Sequence, residues 1–497
     1  MKTLTFFRSI LLLSVFQSLA LFSMTSHCDT SLDSAVKATA ETALDRYINK
    51  DDGQYQWEFV RSEDHFLYTG YQVFLTSQKW LTEKETSRPL WQHDLMIYMP
   101  KRIISKPGGS FSHEADSAII FVDGGSHEST SKFDDTIGMG ATLYNKIIIE
   151  VRQVPNQPFY FKADDIPQDF KEDDIVSRSF ELYLDTGNEE WPIYLPMVKS
   201  VVKAMDASSE FLAQELDLGI EYFSVVGASK RGWTTWLTAA VDQRVIGIVP
   251  TVIDVLDVEA SMENQFESYG DYYSILHTYY SKDLPCRFKT PQGQALLDIV
   301  DPISYQDRLV GMPKLLLNGT SDPFFANTNS LGYWRDVASP KNIRFVPNAA
   351  HNLPMEALLT GFGFASKAID EKGKTPAPDL FWQANREDNT LTVYSSKFPF
   401  LVNYWSSEND VLDFRLETTG DEAWSSEFVS VFDMKIHWLD PNEDGEEDMY
   451  FSFTKDLTAP DSGFRANMFT LNFGTQTYST SIFMSPEVVP YKGTHCP

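Results

Sequence analysis

The sequence predicts an α/β protein: a doubly wound, mostly parallel sheet followed by a smaller all-β region. Three observations carry this. Ala118-Ile119-Ile120-Phe121-Val122 and Ile147-Ile148-Ile149-Glu150-Val151 are near-continuous apolar runs, as expected of strands covered on both faces. Between later runs lies a helical stretch, residues 195–216, with Val198, Val201, Val202, Met205, Phe211 and Leu212 at helical spacing. Beyond the linker-like Lys372-Gly373-Lys374-Thr375-Pro376-Ala377-Pro378, short alternating runs separated by turn residues take over, the pattern of a β-sandwich.

In chain order, residues 1–26 read as a secretory signal. Lys2 and Arg8 give a positive start, Ile10 to Phe22 is mostly apolar, and Ser18-Leu19-Ala20 offers a small-residue cleavage site. The apolar stretch is shorter than the ~20 residues that span a bilayer, so the mature protein is expected to be secreted and extracellular, without membrane insertion. A helical start (35–48) and strands at 71–75 and 95–99 precede the alternating region. Further strands are predicted at 223–226, 245–253, 314–317 and 343–346. Between Val258 and Gly311 lies an insertion rich in tyrosine (Tyr269, Tyr272, Tyr273, Tyr279, Tyr280) and holding His277, where a cap over a site would be inserted. The expected organisation is thus a signal peptide at 1–26, a sheet domain at 27–375 with a helical cap at about 258–311, and a β-sandwich at 376–497. The runs 390–394, 400–404, 412–416, 428–438, 449–453 and 468–473 are the expected sandwich strands.

With 41 basic and 70 acidic side chains the formal charge is −29, which repels phosphate backbones and argues against nucleic acid as a partner. Three cysteines, Cys28, Cys286 and Cys496, allow one disulfide in an oxidising compartment. A Cys28–Cys496 pair would tie the termini together, but the sequence does not choose among the three pairings.

The chemistry centres on Gly227-Ala228-Ser229-Lys230-Arg231-Gly232, which follows the run Phe223-Ser224-Val225-Val226 and leads into a helical stretch. A strand, a serine among small residues, then a helix is the layout of a nucleophile elbow, which lifts a hydroxyl above the sheet edge. Serine needs a base, and the base needs an orienting group. Asp322, three residues past the glycine that ends Lys314-Leu315-Leu316-Leu317-Asn318-Gly319, is the candidate acid. His351, on the loop after the next strand, is the candidate base. Serine, aspartate and histidine therefore arrive in α/β-hydrolase order, each after its own strand. For the oxyanion hole, the Lys230 N–H is one candidate donor, and the loop Asp123-Gly124-Gly125-Ser126-His127 offers a second through a glycine such as Gly125 or through Ser126.

Rival assignments exist. Asp254 or Asp257 could serve as the acid, His127 and His277 could stand near the site, and Glu189-Glu190 could hold a substrate amine. No metal or other cofactor is expected. Zinc-ligand spacing is absent, and Asp440-Pro441-Asn442-Glu443-Asp444-Gly445 lacks the closing glutamate of a calcium loop, reading instead as a hairpin turn tipped by Asp444-Gly445. The one sequon, Asn318-Gly319-Thr320, sits at the mouth of the predicted site and is expected to go unused.

The elbow departs from Gly-x-Ser-x-Gly by placing Arg231 at the second glycine position. With Val154-Pro155-Asn156-Gln157-Pro158, Trp191-Pro192, Pro196-Met197, Ala204-Met205-Asp206-Ala207 and Pro347-Asn348-Ala349-Ala350-His351, it resembles the PhoPQ-activated pathogenicity-related proteins, from about residue 35 into the C-terminal region. The resemblance implies an exported protein of α/β-hydrolase fold, with Ser229, Asp322 and His351 as its catalytic residues. Resemblance of the whole chain, leader included, extends to a secreted autocrine factor that represses proliferation of the cells producing it. That implies a signal read by a cell-surface receptor. The alternative is an extracellular serine hydrolase, a peptidase or esterase acting on a peptide or ester substrate.

Overall fold

The computed structural model describes residues 41–104, 116–164, 166–441, 445–492 and 496. The expected signal peptide, Cys28 and residues 442–444 of the expected hairpin turn lie outside these residues. Strands β1 (Gln56–Asp64), β2 (Tyr68–Lys79) and β3 (Leu90–Pro100) form an antiparallel meander. Next come β4 (Ser117–Val122), β5 (Ile147–Val151), β6 (Tyr222–Ala228), β7 (Val245–Thr251), β8 (Lys314–Gly319) and β9 (Lys341–Val346). The spatial order is β3-β5-β4-β6-β7-β8-β9, parallel from β5 to β9. Chain order reverses between β4 and β6, and the crevice outside the carboxyl ends of such strands is where α/β sheets bind ligands. This is the α/β-hydrolase fold, a mixed, mostly parallel central sheet with helices on both faces.

The apolar runs are explained by that double cover. Ile120, Ile149 and Val225 face a core shared with the helices Tyr194–Leu216 and Lys230–Val241. Their neighbours Ile119, Ile148 and Val226 face a second core containing Ala141, Phe364 and Ala365 of the helices Asp135–Tyr144 and Met355–Asp370. Alternation is thus hidden in sequence because both faces are apolar.

Between β7 and β8 the chain forms a helical insertion that includes the helices Val258–Tyr269 and Pro291–Val300. Buried Asp301 pins both ends of it, accepting from Val258 N–H at 2.6 Å and from Ile303 N–H at 3.1 Å.

The C-terminal strands are β10 (Leu380–Asn385), β11 (Thr390–Ser395), β12 (Leu401–Asn409), β13 (Ser425–Phe428), β14 (Lys435–Leu439), β15 (Asp448–Asp456), β16 (Phe464–Asn472), β17 (Thr477–Ser479) and β18 (Phe483–Ser485). They form two layers. One, β17-β16-β12-β13 with β18 on β16, continues the central sheet through the pairing of Ser479 with Ile343. The other is the separate sheet β10-β11-β15-β14. Leu391, Val393 and Phe453 of the second sheet share a core with Val402, Tyr404, Phe469 and Leu471 of the first, a sandwich-like packing. Two runs predicted as strands fold otherwise. Residues 412–416 form no strand, and 428–438 breaks at the short helix Val431–Asp433.

One correction concerns the cysteines. Cys286, in the insertion, pairs with Cys496 across a Cα–Cα distance of 5.3 Å, so Cys496 is not available to Cys28. The C-terminal segment reaches the insertion because it lies along it: Tyr491 N–H donates to Glu267 O at 3.2 Å, and the Tyr491 ring fills the space beside Gly270.

Candidate active site

Ser229 closes β6 with φ 56° and ψ −129°, a conformation L-residues rarely hold, and its N–H donates to Thr251 O at 2.8 Å. Two glycines permit the bend. A Cβ on Gly227 would sit 2.7 Å from both the Arg231 carbonyl carbon and Thr235 Oγ1, and one on Gly232 would sit 2.7 Å from Ile253 Cγ2. The second small residue is therefore needed at 232, and the side chain of Arg231 is directed away from the bend, into the fold beside Glu172.

Arg231 binds Glu172 through both terminal nitrogens, at 2.7 and 2.8 Å, and donates from Nε to Val154 O at 2.6 Å. Its guanidinium also lies against Gly124, where an added Cβ would meet Nη2 at 2.5 Å. Glu172 further accepts from Lys230 Nζ at 2.8 Å and from Gln157 Nε2 at 2.6 Å. Burial raises the Glu172 pKa, but the hydrogen bonds and charges of Arg231 and Lys230 outweigh it and hold the carboxyl well below the usual range. Lys230, only 5% exposed, also faces Asp173 Oδ2 at 3.3 Å, and Asp173 Oδ1 accepts from Tyr279 OH of the insertion at 2.8 Å. Glu172 and Asp173 were not singled out in the sequence. The available signal was the pair Lys230-Arg231 opening a helix, since two cations tucked into a fold demand acids nearby.

Asp322 and His351 meet. His351 Nδ1–H donates to Asp322 Oδ2 at 2.8 Å, and Asp322 Oδ1 accepts from Phe324 N–H at 2.9 Å. Gly319 makes the meeting possible, since a Cβ there would lie 2.5 Å from Ala350 O and closer still to Ala349 O. Ser321 N–H to Ala349 O and Asn348 N–H to Thr320 Oγ1, both 2.9 Å, stitch the two loops together. The Phe324 ring lies 4.3 Å from the His351 ring, centre to centre. Ser229, Asp123, Gly124, Lys230, Arg231 and His351 all line one open cleft of about 340 Å3. Among the described residues, no hydrogen bond joins Ser229 Oγ to His351. Gly125, with φ 101°, and Ser126 are not among the residues lining the cleft; Gly124 is.

A second cavity, narrower and about 60 Å3, starts at Ser229 and Lys230 and runs under the insertion. Its walls include Phe180, Trp233, Ile253, Met262, Phe288 and Phe325. Ser229 is therefore shared between an open cleft of mixed polarity and a narrow, mostly apolar pocket.

The rival residues have other partners. Asp254 accepts from Tyr333 OH, and burial first, then the Asp322 charge, raises its pKa to about 7 despite that hydrogen bond. Asp257 caps the helix Val258–Tyr269 through Ala260 N–H. Glu189 and Glu190 form ion pairs with Arg46 and Lys50. His277 stacks edge-on to Tyr280. His127 lines neither the cleft nor the pocket. Asn318 of the sequon is buried, with its Oδ1 accepting from Ile253 N–H at 3.3 Å.

Residues 44–415 match the family of PhoPQ-activated pathogenicity-related proteins. The chain belongs to this family. A relative within reach of direct comparison is autocrine proliferation repressor protein A of Dictyostelium discoideum, 33% identical over 452 residues that cover 87% of this chain and 86% of that one. Among solved structures, this family member is similar to acetyl xylan esterase 1 from Thermoanaerobacterium sp. JW/SL YS485, with TM-score 0.43, 15% identity, and coverage of 66% of this chain and 90% of the esterase. It is also similar to a glucuronoyl esterase from Solibacter usitatus, with TM-score 0.40, 12% identity, and coverage of 66% and 91%.

Proposed function

We propose that this protein is a secreted autocrine repressor of proliferation built on an α/β-hydrolase scaffold, and that its Ser229–His351–Asp322 site is a working acyl-transfer centre. The observation that carries the chemical half is the convergence of an elbow serine with the Asp322–His351 pair on one cleft. The biological half is supported by the extent of identity to the Dictyostelium repressor.

In the proposed reaction Ser229 Oγ attacks a carbonyl carbon while His351 Nε2 takes its proton. Asp322 fixes the tautomer and balances the imidazolium. The oxyanion meets backbone N–H groups of Lys230 and of the loop at Gly124. His351 then returns the proton to the leaving oxygen or nitrogen, and water releases the acyl group by the same path in reverse.

The test is fluorophosphonate labelling of the secreted protein beside Ser229→Ala, with both proteins added to proliferating cells. Labelling lost in the variant supports the nucleophile. No labelling of folded wild type sinks the chemistry and leaves a ligand on an idle scaffold, read by a receptor. Repression surviving in Ser229→Ala separates signal from catalysis, whereas its loss favours turnover of an extracellular peptide or ester as the whole function.

A further inference from the structure

The narrow pocket beside Ser229 has a feature that an ordinary packing gap lacks. Gln265, 2% exposed and lining the pocket from the helix Val258–Tyr269, donates from Nε2 to Phe324 O at 3.0 Å, but its Oε1 has no partner. A buried acceptor left unpaired is unfavourable, so a partner arriving from outside is worth binding. The rest of the wall is mostly apolar.

The two cavities also divide the substrate. His351 lines the wider cleft and does not line the narrow pocket. The leaving group must receive its proton from His351, so it occupies the open cleft, and the acyl group is left with the pocket. At about 60 Å3 the pocket is far smaller than a void that holds benzene. Scaled from the ~150 Å3 void that takes the six carbons of benzene, it has room for roughly two or three non-hydrogen atoms beyond the carbonyl.

Resting on the hydrolase reading above, we infer that this pocket is an acyl site for short chains of propanoyl to butanoyl size, and that it favours those ending in a hydroxyl or other hydrogen-bond donor, which Gln265 Oε1 accepts. The acyl–Ser229 ester forms as the bond to the leaving group breaks, the leaving group departs with the His351 proton, and water yields the free short-chain acid.

The experiment compares 4-nitrophenyl esters. Octanoyl ester should be cleaved with kcat/KM at least tenfold below butanoyl ester. Glycoloyl should be favoured over its isostere propanoyl, or 3-hydroxypropanoyl over butanoyl, by about two- to tenfold, the worth of one neutral hydrogen bond. In Gln265→Leu that ratio should fall to about one, and in Met262→Ala longer chains should be accepted. Octanoyl turned over as fast as butanoyl, or a hydroxyl preference unchanged in Gln265→Leu, overturns the inference while Ser229 labelling keeps the nucleophile standing. If Ser229 fails to label, the hydrolase reading fails by itself. The pocket is then read without turnover, by saturation-transfer NMR of the intact protein with 3-hydroxypropanamide and butanamide. A stronger signal for the hydroxylated amide, lost in Gln265→Leu, supports the site; equal or absent signals overturn it.

Discussion

Ser229 and Glu172 hold almost the same rare backbone conformation, φ 56° and ψ −129° against φ 52° and ψ −123°, and Arg231 ties one to the other. Each such residue stores about 1–3 kcal/mol of strain, which surrounding contacts must hold in place. Here the contacts are the Glu172 fork and its second cation, Lys230. The same guanidinium rests on Gly124, so the elbow and the glycine loop opposite it are set by one side chain.

Arg231→Lys keeps the charge but cannot make the fork or lie flat on Gly124. The expected result is a loss of about 10²-fold in kcat with little change in KM, since misplaced oxyanion donors act on the transition state. Steady-state kinetics on a short-chain ester checks this; a rise in KM alone would show that Arg231 serves binding instead.

Asp322→Asn should lower kcat by about 10⁴-fold while leaving the fold intact, because the amide no longer enforces the tautomer that keeps Nε2 basic. Labelling by fluorophosphonate should slow in parallel. Unchanged kinetics would return Asp254 to consideration as the acid.

Gly319→Ala forces a methyl into the carbonyls of Ala349 and Ala350. Pushing the two loops apart should destabilise the fold by about 1–3 kcal/mol and reduce activity further than the stability loss explains. Thermal unfolding and kinetics of the same variant separate the two effects.

The placement of the candidate site was legible because local rules bind it. Ser229, Asp322 and His351 each follow a strand, and their order along the chain is that of the fold. Glu172 was not legible, since nothing near it in sequence marks a partner for Arg231. Attention fell on Glu189-Glu190, a pair that turned out to face Arg46 and Lys50. The alternating runs announced most C-terminal strands, but not that five of the nine extend the central sheet, which hinges on a single pairing of Ser479 with Ile343. Residues 412–416 alternate like a strand. Yet Arg415 is held by Asp413 and sandwiched between Tyr269 and Tyr273, contacts no local pattern encodes.

Asp254 should make stability fall with rising pH. Its pKa is raised from 3.8 to about 7 in the folded chain, so between those values the folded state holds a proton that the unfolded state has released. Stability from this group is greatest near pH 4, declines towards pH 7, and stays lowered above it. Asp254→Asn, which still accepts from Tyr333, should raise Tm relative to wild type at pH 8, and the gap should close near pH 4. A gap independent of pH would mean that Asp254 is ionised throughout.

The Cys286–Cys496 bridge spans 210 residues of chain, so during synthesis its second half emerges long after its first. At 5–20 residues per second, the ribosome needs about 10 to 40 s to bridge that interval. Through that time the insertion over Ser229 is held by its own two chain ends and has no cross-link to the C-terminal segment. A chain that stops short of Cys496 never acquires one, whatever else it has folded. The clasp therefore reports two things at once: that translation has passed Cys496, and that the chain has met a compartment that oxidises thiols.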